Sequence, residues 1–157
     1  MALSNYERMM EMAKDTFANR IDDSQLSIDE KVLERLHQLH PATVSEYDDG
    51  NGPAVWILLI PTTLELMHQF LKNKISEKEL YELTPLNIKY EAIYLCSAIV
   101  LPEHRGKGIA KQLSLAAIES MRKGHPIKAL FVWAFSKQGE GLAQKVSNSS
   151  GLPLYKR

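Results

Sequence analysis

Residues 92–111 constrain the fold of this chain more than any other stretch. Ala92-Ile93-Tyr94-Leu95-Cys96-Ser97-Ala98-Ile99-Val100-Leu101 is long and mostly apolar, the pattern of a strand covered on both faces. Pro102 ends it. Arg105-Gly106-Lys107-Gly108 then turns into a helical pattern over 107–122, with Ile109, Leu113, Ala116, Ala117 and Met121 on one stripe. A third apolar run at 129–135 follows Gly124 and Pro126. Strand, helix and strand in that order form a β-α-β unit, which requires a sheet with parallel neighbours.

The remaining chain supplies further strands and helices. Four S/T-x-x-E pairs, Ser4 with Glu7, Ser27 with Glu30, Thr62 with Glu65 and Ser76 with Glu79, are capping boxes. In each the hydroxyl accepts from the third helical amide and the carboxylate reaches back to the cap. They predict helices to about Asn19 (Tyr6, Met9, Met10, Ala13 and Phe17 at helical spacing), to about Leu39, over 63–72 and over 77–83. Residues 42–47 and 53–60 read as strands of a hairpin around Asp48-Asp49-Gly50-Asn51-Gly52. A helix over 141–147 and a short strand over 152–156 complete the chain. The fold class expected is α/β (α+β): a mixed, mostly antiparallel sheet flanked by helices on both faces, in one domain over 1–157, with a two-helix insertion at 61–88.

Lys plus Arg and Asp plus Glu both number 19, a formal net charge of zero, which disfavours a nucleic-acid binder that must displace counterions. The charge is nevertheless divided. Residues 1–91 hold nine basic and sixteen acidic side chains, a net of −7, and residues 92–157 hold ten and three, a net of +7. An anionic ligand on the second part is implied. The single cysteine, Cys96, excludes an internal disulfide and a cysteine-rich metal site. No apolar run reaches the roughly 20 residues of a bilayer span, and Met1-Ala2-Leu3-Ser4-Asn5-Tyr6-Glu7 lacks a signal-peptide layout, so a cytoplasmic protein is expected.

In the turn, glycines let backbone approach a ligand, and the first amides of the following helix have no internal acceptor. With Arg105, Lys107 and Lys111 they form an anion cradle suited to a diphosphate. The pattern is neither G-x-x-x-x-G-K-[ST] nor G-x-G-x-x-G. It is R-x-x-G-x-A, Arg105 to Ala110, preceded by V-x-P at Val100 to Pro102, and it resembles the coenzyme A signature of the GCN5-related N-acetyltransferase (GNAT) superfamily. The element order resembles that fold over nearly the whole chain. The resemblance implies acetyl-CoA as co-substrate and no metal. It places Gly106, Lys107, Gly108, Ile109, Ala110 and Lys111 on the diphosphate beside Arg105, and the main chain of Ala98, Ile99 and Val100 along the pantetheine arm. An amide at Ile99 or Val100 would polarise the thioester carbonyl.

The family's later motif, N-x-x-A-x-x-L-Y-x-x-x-G-F, aligns without gaps when Ala143 and Gly151 take its Ala and Gly. Glu140 then stands at the Asn, Val146 at the Leu, Ser147 at the cofactor-protonating Tyr and Leu152 at the Phe. Because a serine hydroxyl is far less acidic than a phenol, a water, Tyr94, Tyr155 or the low pKa of the thiol itself must substitute. Candidate acid-base groups on the long strand are Glu91, Tyr94, Cys96 and Ser97. Simple alternation puts Tyr94, Cys96, Ala98 and Val100 on one face, unless a bulge resets it. Glu91 reads either as a base or as a solvated strand-end carboxylate, and Cys96 either as an acyl carrier or as an inert buried thiol. His104 borders the cradle. His37 and His40 lack a third metal ligand, and His68 and His125 show no partner.

The resemblance implies an N-acetyltransferase (EC 2.3.1 type) in which the amine of a small molecule or peptide attacks acetyl-CoA directly in a ternary complex. The alternative is a CoA or acyl-CoA binding protein with weak or no transferase activity. No nucleic acid or membrane partner is expected. The insertion would serve as a wall over the acceptor site, a homodimer surface or a packed decoration.

Overall fold

The structure, a computed structural model, describes residues 3–18, 30–133 and 137–157. Two helices, α1 (Asn5–Ala18) and α2 (Glu30–Leu39), precede the hairpin of β1 (Val44–Asp48) and β2 (Pro53–Thr62). The insertion carries α3 (Leu64–Leu71) and α4 (Glu77–Leu83). Then come β3 (Ala92–Val100), a single 3-10 turn (Pro102–His104), α5 (Ile109–Arg122), β4 (Ala129–Val132), α6 (Lys137–Ser150) and β5 (Leu154–Lys156). The Ser27 cap, the expected end of the first helix at Asn19 and residues 134–135 of the expected third strand lie outside the described residues. Among the described residues no helix is long and apolar enough to cross a membrane.

Local chemistry explains most boundaries. Ser4 accepts the Glu7 amide at 3.2 Å. Ser76 and Glu79 form a complete capping box, with the Glu79 amide 3.0 Å from Ser76 Oγ and the Ser76 amide 3.1 Å from Glu79 Oε1. The cap of α3 is Thr63 rather than the expected Thr62: Thr63 Oγ1 accepts from the Leu66 amide at 3.1 Å. Thr62 still belongs to β2, fully buried, its hydroxyl 2.7 Å from that of Thr84. β2 therefore continues two residues past its expected end, and the insertion proper starts after it. Helix α5 begins at Ile109 rather than Lys107, and α6 is twice as long as expected, starting four residues earlier at Lys137 and running three further to Ser150.

The five strands lie in the order β1-β2-β3-β4-β5. The long ladders, β1 with β2 and β2 with β3, are antiparallel; the short ones, β3 with β4 and β4 with β5, are parallel and bridged by α5 and α6. α1 packs on β2 and β3, burying Met9 with Ala54, Ile99 and Leu101 and with half-buried Trp56. α5 runs across β1, β2 and β3, adding Ala117, Ile118 and Met121 to the main core.

The insertion is fastened to the sheet. Phe70 of α3 is fully buried with its ring 5.0 Å from Tyr94, 5.7 Å from Phe131 and 6.0 Å from Trp133. Arg157 lies over both Phe70 and Trp133, 4.4 Å from each centroid, and donates to the Ile75 carbonyl and to Asn73. From α2, Arg35 donates to the carbonyls of Tyr81 (2.5 Å) and Thr84 (2.6 Å).

Candidate active site

β3 and β4 pair only over Ala92–Ala129, Ile93–Leu130 and Tyr94–Phe131. Beyond Tyr94 the strands part. From Leu95 to Val100 only β2 pairs with β3, so its other edge opens into a fork. At that point the β2–β3 register slips: Leu59 pairs with Leu95 and Leu58 with Ser97, leaving Cys96 as the extra residue of a β-bulge. A bulge bends and overtwists its strand, which carries β3 away from the four-residue β4.

The bulge also resets the faces, correcting simple alternation. Tyr94 pairs with Ile60 and Ser97 with Leu58, so Tyr94, Ser97 and Ile99 share a face while Leu95, Ala98 and Val100 share the other. The backbone groups are decided in the same way. Leu101 donates its amide to Ala54 of β2 at 2.9 Å, so the Ile99 amide two residues back also faces β2. The amides of Ala98 and Val100 then point into the fork. Arg105 supports that direction, since its Nε donates to the Val100 carbonyl at 3.2 Å.

The open edge leads directly to the glycine turn. Gly106 (φ 75°) and Gly108 (φ 79°) are in the left-handed region, and a Cβ built on either meets nothing within 4 Å. Their requirement is thus backbone conformation rather than crowding within the chain. Gly108 caps α5 without a side-chain bond, leaving the first amides, on Ile109, Ala110 and Lys111, with no capping side chain. Lys107 and Arg105 are exposed beside them and Lys111 is half-buried.

Two polar contacts hold the turn from behind. His104 Nε2 lies 2.8 Å from Asp49 Oδ2, and Asp49 Oδ1 accepts from Asn5 Nδ2 at 2.9 Å. Hydrogen bonds from the Asn51 amide and then from His104 hold the Asp49 carboxyl below the usual range. Arg8 of α1 grips Glu103 with two bonds of 2.6 Å, drawing the Glu103 carboxyl down to about 2. His104, which borders the cradle in sequence, thus faces the hairpin.

Glu77 was not among the candidates read from the sequence. It is the first residue of α4, fully buried, and its Oε2 accepts from the Tyr94 phenol at 2.6 Å, with Cys96 Sγ at 3.9 Å. The fork, the bulge and this carboxylate coincide. One signal was present in the sequence: Glu77 stands three and four residues before Leu80 and Tyr81, on the buried face of α4.

Other candidates lie apart from the fork. Glu91 precedes β3 at its closed end, 3.5 Å from Lys128. Ser147 is buried in the last turn of α6, and its hydroxyl donates to the Leu152 carbonyl at 2.6 Å. Glu140 contacts Lys156 at 2.9 Å, and Tyr155 is exposed. His40 and His125 stack edge to face 5.7 Å apart, so His125 does have a partner. Among the described residues no group of three or more His, Cys, Asp or Glu side chains is placed to hold a metal.

The profile of the acetyltransferase (GNAT) family matches residues 74–145, a stretch that contains Glu77, the fork, the glycine turn and most of α6. That stretch, 72 of the 157 residues, is similar to the GNAT acetyltransferases. Solved structures with the same fold include Chaetomium thermophilum Naa20 in complex with a bisubstrate analogue. It superposes with a TM-score of 0.53 at 11% identity, over 90% of this chain and 64% of that one. An aminoglycoside acetyltransferase, meta-AAC0020, from an uncultured soil metagenomic sample, in complex with trehalose, gives 0.50 at 15% identity, over 94% and 83%. No curated protein matches in sequence. The proteins of that family use acetyl-CoA.

Proposed function

We propose that this protein is a GNAT acetyltransferase that transfers an acetyl group from acetyl-CoA to the amine of a small molecule or peptide, by direct attack while both are bound. The observation that carries this reading is the continuous open edge of β3 from the Cys96 bulge to the glycine turn, ending on the uncapped start of α5. An extended pantetheine arm would add to that edge as a strand does, through the main chain of Ala98 and Val100. The diphosphate would rest on the amides of residues 106–111, with Arg105, Lys107 and Lys111 balancing its charge. Acetyl-CoA supplies an activated thioester. The Val100 or Ala98 amide, aimed into the fork, would stabilise the oxyanion that develops on its carbonyl, an effect worth about 3 kcal/mol in a dry site. Holding amine and thioester together provides the rest of the acceleration. The acidic balance of residues 1–91, which carry α1, α2 and the insertion, favours a cationic amine as acceptor.

One observation favours a second reading, a CoA-binding protein without turnover: the positions expected to hold Asn and Tyr carry Glu140, paired with Lys156, and Ser147, bonded to Leu152. Acetyl-CoA at about a hundred times its Kd should raise the melting temperature by about 5–10 °C. The double variant Arg105→Ala, Gly108→Glu should abolish the shift. Thiol release on a panel of amines, peptides and aminoglycosides then separates the readings. A thermal shift with no acceptor-dependent thiol release supports the binding protein; no shift at saturation removes both.

A further inference from the structure

A cavity of about 420 Å³, lined by residues 73–76, Glu79, Trp133 and Arg157, lies on the face of the sheet that carries the insertion. That volume suits a small molecule. Phe131 is the last residue of β4 paired with β3, through Tyr94, and Trp133 follows two residues later, where the strands have parted. Contact with Phe70, which also packs on Tyr94 and Phe131, keeps Trp133 on that face. Ser97, on the β3 arm of the fork, shares the face because of the bulge. The cavity therefore adjoins the fork through Trp133.

Its polar groups are mostly donors. Half-buried Arg157 lies over Trp133 and Phe70, and its guanidinium donates to the Ile75 carbonyl at 3.3 Å and to the side-chain oxygen of Asn73. Both acceptors are neutral. The other N–H groups of the guanidinium, and the amide N–H groups of the Asn73 side chain, remain for a ligand. Among the described residues, neither Arg157 nor Lys74 has a side-chain carboxylate within ion-pair distance. Glu79, the carboxylate of the lining, already accepts the Ser76 amide at 3.1 Å in the cap of α4. A guanidinium met by neutral oxygens, with an unpaired ammonium beside it, suits a carboxylate, which Arg binds through two parallel hydrogen bonds. Trp133 and buried Ile75 give the cavity an apolar wall.

We infer that this cavity holds the carboxylate end of the acetyl acceptor and that the acceptor is an amino acid. This rests on the transferase reading above and names the substrate class for it. Arg157, Lys74 and Asn73 take the carboxylate, Trp133 and Ile75 face an apolar side chain, and the amine points past Trp133 into the fork. There the nitrogen bonds to the thioester carbon, the carbon–sulfur bond breaks, and the proton that nitrogen loses ends on the departing sulfur. Amino acid and acetyl-CoA thus give N-acetyl amino acid and coenzyme A. An amino acid carries both charges: its ammonium suits the acidic balance of residues 1–91 and its carboxylate suits the cations of the cavity. A polycationic acceptor would instead meet Lys74 and Arg157 with like charge.

The test follows thiol release from acetyl-CoA by the full chain with the common proteinogenic amino acids, the carboxamide of each and the matching decarboxylated amine. At least one amino acid should be acetylated with kcat/KM about tenfold or more above that of its own carboxamide. In Lys74→Glu and in Arg157→Gln that ratio should fall at least about fivefold, through KM. The Kd for acetyl-CoA and kcat/KM for the carboxamide should each change by less than about twofold. Lys74 is exposed and has no ion pair among the described residues, so Lys74→Glu decides alone if Arg157→Gln does not fold. Carboxamides or amines used as well as the amino acids, or a preference that survives Lys74→Glu, overturns the proposal. Protein that acetylates other amines but no amino acid overturns it and leaves the transferase reading standing. No thiol release with any amine overturns that reading and the acceptor assignment with it.

Discussion

His104 Nε2 sits 2.8 Å from Asp49 Oδ2, joining the turn that precedes α5 to the tip of the β1–β2 hairpin, 55 residues earlier. Both side chains are mostly buried, 14% and 15% exposed, so water screens the contact poorly. Its effect is to hold the glycine turn in place before any ligand arrives. His104→Ala should raise the Kd for acetyl-CoA about fivefold, as loss of one hydrogen bond's net contribution would, and leave kcat at saturating acetyl-CoA unchanged. Calorimetric titration and steady-state kinetics check the two halves. A lower kcat with unchanged affinity would place His104 in the chemistry instead.

The His40–His125 pair makes stability depend on pH. Burial pushes both imidazoles below their ordinary value, with His125 adding to the effect on His40 and Lys89 to that on His125. Each Nδ1 also accepts an amide, from Ala42 at 3.0 Å and from Tyr90 at 3.1 Å, which a protonated ring could not do. With folded values depressed, the unfolded chain takes up protons first on acidification. The contribution is complete above the ordinary histidine value of about 6.5 and is lost as pH falls through the lowered ones. Melting temperature should fall between pH 7 and 5. His125→Asn, whose amide oxygen can replace Nδ1 as acceptor, should flatten that fall.

Phe70 carries the insertion into the core. Its ring is fully buried against Tyr94, Phe131, Trp133 and Arg157. Phe70→Ala should cost about 3–5 kcal/mol in urea unfolding, the usual range for a buried phenylalanine. Because the vacated space lies at the closed end of β3, beside Tyr94, acetyl-CoA affinity, set at the far end of that strand, should change little. A large loss of affinity would show that the insertion also shapes the cofactor end of β3.

Ser147→Ala separates structure from catalysis at the position where the family carries its tyrosine. The substitution removes the donor 2.6 Å from the Leu152 carbonyl, beside a side chain that is 7% exposed. Stability should drop by about 1–3 kcal/mol, the penalty of an unsatisfied buried acceptor, with kcat within about twofold of the parent. A large loss of kcat without loss of stability would give Ser147 a catalytic role.

Local signals in the chain were strong enough to set several features without tertiary help. The Ser4 and Ser76 caps bond their own helices, and the turn from Arg105 to Lys111 has its glycines in the left-handed region before a helix with uncapped amides. Such features depend on residues within a few positions of each other. The threonine cap shows the limit of this legibility. Thr62 and Thr63 are equivalent by composition, and pairing of Thr62 with Ala92 kept it in the sheet and passed the cap to its neighbour.

The site needed the folded chain. Alternation along β3 is a local rule, but a bulge is a property of two strands, and only the partner register turns the amides of Ala98 and Val100 into the fork. Glu77 was marked in the sequence by its place on an apolar helix face, yet its meaning lies in Tyr94 and Cys96, seventeen and nineteen residues away. The sequence alone determined the Ser4 and Ser76 helix caps and where the glycine turn lies, because short-range bonding and backbone sterics decide those matters. The tertiary structure decided which amides of β3 lie on the open edge and which carboxylate is buried beside the bulge, because register and burial arise only when distant segments pack.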